Sequence, residues 1–67
     1  MNQDGMSVVE RIARELLDRD GTEAAGIARE RAELEERLGD VRSAIVWRYI
    51  ADEIEWLISR PGHIADP

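Results

Sequence analysis

The sequence contains no cysteine, no lysine and no phenylalanine, and it has a single histidine. Without cysteine, neither a disulfide nor a thiolate zinc site can stabilise the fold. One histidine also excludes a site built from several histidine ligands. No apolar run approaches the roughly 20 residues of a membrane span, and no basic-then-apolar leader opens the chain. We therefore expect a soluble, cytoplasmic protein with no membrane partner.

What is abundant is charge, because 36% of the 67 residues are acidic or basic. Nine arginines against fifteen acids give a net charge of −6, and the arginines are spread evenly along the chain. Such a chain repels phosphate backbones, so we expect no direct binding to nucleic acid. For one domain this short, the gain from apolar burial roughly equals the entropy lost on folding. A protein partner or a second copy would therefore stabilise it.

The periodicity of apolar residues predicts an all-α, compact three-helix domain. The helices are expected over about residues 8–19, 23–38 and 41–59. Ser7 and Glu10 have the spacing of a capping box at the start of the first helix. Gly21 and Gly39 are expected to end the first two helices, and Asp40 to cap the third. Short connections favour antiparallel neighbours, which predicts a central third helix flanked by the other two.

The predicted domain covers residues 7–60, between a flexible N-terminus at 1–6 and a flexible tail at 61–67. His63 lies in that tail without neighbours that could support catalysis or metal binding. The chain has no G-x-S-x-G, no phosphate-binding loop and no Glu-x-x-His. We therefore predict that the protein is not an enzyme and has no cofactor, no catalytic residue and no metal ligand.

The third helix carries apolar residues on two sides, which is typical of a helix that is buried on two sides. Its wide stripe is expected to face the core. The core is predicted to include residues of all three helices, namely Leu16, Ile27, Leu34, Trp47, Ile50 and Ile54. The other apolar side of the third helix is the narrow stripe, which consists of Ile45, Tyr49 and Trp56. Arg42 and Glu53 separate the two stripes along one side.

Two interpretations of the narrow stripe stay open at this point. The first two helices could cover one stripe each within the molecule, or the narrow stripe could be an interaction surface. Tryptophan and tyrosine are favoured at interface centres. We therefore expect a small acidic protein-interaction module, an adaptor or regulator that forms a homodimer through its third helix. The alternative is a phage-type inhibitor, similar to anti-CRISPR proteins, that blocks the basic nucleic-acid-binding surface of a partner protein.

Small residues at helical spacing, a Gly-Asp turn and one tryptophan form a further pattern. Its members are Gly21, Ala24, Ala28, Arg31, Ala32, Gly39, Asp40, Trp47 and Ile50. The stretch from Gly21 to Leu57 thereby resembles a group of small all-helical proteins common in alphaproteobacteria. Asp20 stands where that pattern often has histidine. The resemblance implies a small helical domain and brings no established activity with it.

Overall fold

Helical backbone runs from Val8 to Arg37 with one bend in the computed structural model, which describes residues 7–59. The elements are α1 (Val8–Asp20), a single 3-10 turn (Gly21–Glu23), α2 (Ala24–Arg37) and α3 (Val41–Ser59). The described part of the chain contains no strand, so the all-α prediction is confirmed. The expectations for residues 1–6 and 60–67, including His63, lie outside the described residues.

The prediction of three separate helices is not confirmed, because no loop divides α1 from α2. Gly21 does end α1, with a positive φ of 63° and its N–H donating to the carbonyl of Leu17. The 3-10 turn then begins at Gly21 itself and leads directly into α2. The described chain is therefore one long bent helix packed against a second helix, α3.

The start of α1 is the capping box that the sequence predicts. The Ser7 hydroxyl oxygen accepts a hydrogen bond from the backbone N–H of Glu10 at 3.1 Å. The Glu10 carboxylate accepts one in return from the backbone N–H of Ser7 at 3.2 Å. Two N–H groups that lack partners within the helix are thereby satisfied.

The turn between α2 and α3 is set by Gly39 and Asp40. Gly39 has a φ of 85°, and the N–H groups of Gly39 and Asp40 donate to the carbonyls of Glu36 and Glu35 at 3.0 and 2.8 Å. This is the Schellman arrangement at a helix end. The Asp40 carboxylate then accepts hydrogen bonds from the backbone N–H and the side-chain hydroxyl of Ser43, at 3.0 and 2.9 Å. These two bonds hold the pKa of Asp40 below its ordinary value, the backbone bond being the larger cause.

Ion pairs show that α2 and α3 run antiparallel. Arg29, near the start of α2, contacts Glu55 at 2.9 Å and Asp52 at 3.5 Å, in the C-terminal half of α3. Glu36, near the end of α2, contacts Arg48 in the N-terminal half of α3 at 2.9 Å. Because these side chains are about half exposed, each pair contributes at most about 1 kcal/mol.

The core lies where α1, α2 and α3 meet, and it consists mainly of alanine. The buried residues are Ala13, Leu16, Ala24, Ala25, Ala28, Ala32, Ala44, Ile50, Ala51, Ile54 and Leu57. The predicted members Leu16, Ile50 and Ile54 are among them, and Trp47 is half-buried against them. Alanine lets helices approach closely, but each one buries little apolar area.

The prediction that Ile27 and Leu34 belong to the core is wrong. Their side chains are 37% and 43% exposed. The alanine side of α2, with Ala24, Ala28 and Ala32, is the side that packs inward. The two larger residues lie round the helix from these alanines, so close packing of the helices leaves them at its edge.

Candidate protein-interaction surface

The narrow stripe lies on the side of α3 away from the core. Ile45, Tyr49 and Trp56 are 45%, 60% and 54% exposed. Their spacings of four and seven residues align them along one line of the helix. Neither α1 nor α2 buries this line, so the structure does not support the interpretation that these two helices cover one stripe each.

A shallow groove of about 680 Å³ follows the narrow stripe where the first turn of α1 approaches α3. We call it the acidic groove, and it is lined by Val9, Glu10, Tyr49, Asp52, Glu53 and Trp56. Its apolar wall is aromatic and aliphatic. Among the described residues, the three charged side chains in its lining are all carboxylic acids.

The three carboxylates of the acidic groove differ in what they already bind. Glu10 belongs to the capping box, and Asp52 lies 3.5 Å from Arg29. Glu53 is half-buried, and no arginine in the described part of the chain lies within the 4.0 Å of an ion pair. The groove therefore presents apolar area beside negative charge that residues 7–59 balance only in part.

A second groove, of about 320 Å³, lies beside Trp47. We call it the mixed-charge groove, and it is lined by Leu16, Arg19, Ile27, Glu30, Arg31, Leu34 and Trp47. The Arg31 guanidinium carbon lies 5.3 Å from the centre of the Trp47 ring, and Arg31 also contacts Glu35 at 2.9 Å. Trp47 thus has a cation over its face in addition to its packing against the core.

Most large apolar side chains of the described residues are outside the core. Those that are exposed are Val8, Ile27, Leu34, Leu38, Val41, Ile45, Val46, Tyr49, Trp56 and Ile58. Sequence reasoning missed this imbalance because it assigned Ile27 and Leu34 to the core. The available signal was the run of alanines in α2, which marks the side where helices meet most closely.

The described residues contain neither a candidate metal-binding cluster nor a candidate membrane-spanning helix. No three acidic or histidine side chains among them are placed so that they could hold a metal ion. None of the helices in this part of the chain has the length and apolar character needed to cross a membrane.

What the fold and this surface define is a class, namely a small all-helical domain with an exposed aromatic stripe. No protein-family model, curated protein or solved structure matches the chain. The resemblance to small helical proteins of alphaproteobacteria therefore stays a prediction.

Proposed function

We propose that the chain is a small acidic, non-enzymatic protein-interaction module, an adaptor or regulator that self-associates through the narrow stripe. The observation that carries this proposal is the exposure of Ile45, Tyr49 and Trp56 along one line of a 19-residue helix. Aromatic side chains bury a large area with few rotatable bonds, so they lose little entropy when a partner covers them.

The alanine-rich core supports self-association. Fully burying a valine, leucine or isoleucine side chain contributes about 1.5–3 kcal/mol, and only Leu16, Ile50, Ile54 and Leu57 do so among the described residues. A second chain would bury apolar area that is exposed among residues 7–59. Folding and association then stabilise each other by mass action.

The test is the solution mass of the full chain, measured by light scattering from low micromolar to millimolar concentration. We expect the wild-type mass to rise from monomer to dimer. Ile45→Asp should stay monomeric, because a carboxylate at the centre of an apolar contact loses its hydration without compensation.

Leu34→Asp is the matched control, since Leu34 is 43% exposed, close to the 45% of Ile45, but lies on α2. It should dimerise like wild type. A wild-type chain that is monomeric at every concentration would contradict the proposal. Equal loss of dimer in both variants would also contradict it, because association would then not depend on the narrow stripe.

The acidic groove favours one other function, that of a phage-type inhibitor that covers a basic nucleic-acid-binding surface of another protein. Glu10, Asp52 and Glu53 place carboxylates beside Tyr49 and Trp56, as a mimic of phosphate and base would require. An arginine-rich helical peptide is a suitable probe. This function predicts binding that weakens steeply with salt, whereas absence of binding at low salt would exclude it.

A further inference from the structure

The two ends of the narrow stripe carry opposite charge on the same flank. Arg42 lies in the first turn of α3 beside Ile45, and Glu53 lies beside Tyr49 and Trp56. Eleven residues make about three turns, so Arg42 and Glu53 point to nearly the same side, about 16 Å apart along the axis. Within residues 7–59 neither one has an oppositely charged side chain at ion-pair distance.

This pattern is complementary to itself when a second copy of α3 lies antiparallel. A two-fold axis near Trp47–Arg48 in the sequence would place Arg42 of each copy opposite Glu53 of the other. Both pairs form at once, since a two-fold contact is reciprocal. A parallel two-fold contact would instead put the flank that carries Arg42 and Glu53 on opposite sides of the contact in the two copies, so neither pair would form.

The apolar residues fit the same register. Reversal about that axis brings Ile45 of one copy near Tyr49 of the other, close to the centre. At each end, Trp56 of one copy comes near Val41 of the other, and the Val41 side chain is 60% exposed in the single chain. In this register Ile45, Tyr49 and Trp56 therefore each come near an apolar residue of the other copy.

We propose that a second copy of this chain occupies the narrow stripe with α3 antiparallel, Arg42 of each copy pairing with Glu53 of the other. This inference rests on the proposed function and adds the orientation, the register and the residues that select the partner. Each copy has a net charge of −6, so association is opposed at long range. Two reciprocal ion pairs supply attraction at the place where the chains touch.

The contact expected from α3 alone is small. Nineteen residues of helix are about 28 Å long, and one helix-on-helix contact buries less than the roughly 800 Å² per partner of a standard interface. We therefore expect a reversible dimer that dissociates in the micromolar range. The fraction of dimer would then follow the concentration of the chain.

The experiment exchanges the two charges in the full chain and measures the dimer dissociation constant by sedimentation at low salt. Arg42→Glu and Glu53→Arg each place like charges opposite one another twice, so each should weaken the dimer about tenfold. The double variant restores both pairs and should return to the wild-type constant. An equimolar mixture of the two single variants should form a heterodimer.

Net charge does not explain this pattern, because Arg42→Glu makes the chain more acidic and Glu53→Arg makes it less so. Arg37→Glu and Glu33→Arg repeat both changes at exposed sites on α2 and should have little effect. Arg42→Glu also replaces a cation by an anion in the first turn of α3. Because negative charge near the N-terminus stabilises a helix, loss of dimer in this variant would not reflect unfolding.

Two results would overturn the inference and leave the proposed function standing. One is a wild-type dimer that Ile45→Asp dissociates but neither charge variant weakens. The other is a double variant as weak as the single variants. A wild-type chain that is always monomeric would instead overturn both the inference and the proposed function.

Discussion

The surroundings of Trp47 and Trp56 differ although both residues belong to α3. Trp47 is half-buried against the core, has Arg31 over its ring and borders a groove with charges of both signs. Trp56 is 54% exposed, and the described charged residues that line its groove are all acidic. α1 borders both grooves, with Leu16 at that of Trp47 and Val9 at that of Trp56. The surroundings of Trp47 stabilise the single chain, whereas those of Trp56 leave apolar area exposed, where the proposed second chain would bind.

The largest expected difference in the free energy of unfolding is between an isoleucine on the core side of α3 and one on its outer side. Ile54 is fully buried, so Ile54→Ala should lower the free energy of unfolding by about 3 kcal/mol. Ile45→Ala should lower it by less than about 1 kcal/mol at concentrations where the chain is monomeric, because Ile45 is 45% exposed. Urea denaturation of the two variants measures both values, and equal losses would mean that Ile45 is also a core residue.

A smaller difference in the free energy of unfolding is expected between the two tryptophans, with the core-facing Trp47 again contributing more. Because Trp47 packs against the core, Trp47→Ala should cost about 2 kcal/mol in dilute solution. Trp56→Ala should cost less there but should weaken the dimer, since Trp56 belongs to the narrow stripe. Unfolding curves at low and high concentration separate the two effects. A change in the free energy of unfolding that is the same at low and high concentration for Trp56→Ala would contradict this distinction between the two tryptophans.

A smaller effect is expected at the cation over Trp47. Arg31→Gln removes the guanidinium at 5.3 Å from the ring and should lower the free energy of unfolding by about 0.5–1 kcal/mol. The ion pair of Arg31 with Glu35 adds little because Arg31 is exposed. Arg37→Gln, on the same helix, is the control for loss of charge. An equal effect of the two variants would show that the Trp47 contact contributes nothing.

The smallest expected effect concerns the turn between α2 and α3, which fixes the start of α3. Hydrogen bonds from Ser43 lower the pKa of Asp40 below its ordinary 3.8 in the folded chain. The stabilisation from the ionised carboxylate is therefore present above that ordinary value and is lost as pH falls through the folded pKa. The stability advantage of wild type over Asp40→Asn should shrink below about pH 4. A constant difference across acidic pH would contradict this prediction.

The features that sequence reasoning predicts correctly depend on neighbours in the chain. The capping box of Ser7 and Glu10 and the turn at Gly39 and Asp40 each involve residues a few positions apart. Their geometry is decided by backbone hydrogen bonds that short segments form on their own. The position of the narrow stripe on α3 follows equally from helical periodicity.

What sequence reasoning missed depends on residues far apart in the chain. Ile27 and Leu34 are more apolar than alanine, so a pattern of hydrophobicity places them inward, yet they lie at the edge of α2. The path of α1 decides this outcome, as it decides that the narrow stripe is left exposed. That path depends on the bend at Gly21, where a positive φ leads into a 3-10 turn instead of a loop.

The alanine core has a consequence for which substitutions this protein tolerates. An alanine side chain has no rotamer to change, so a larger residue at Ala28 or Ala32 could be accommodated only by moving a helix. The inner surface therefore has almost no room for neutral variation. The outer surface of α3 is less restricted, because exchange of a side chain that is about half exposed costs the fold of the single chain little. Single substitutions there can change the surface that a partner would contact while the scaffold stays the same.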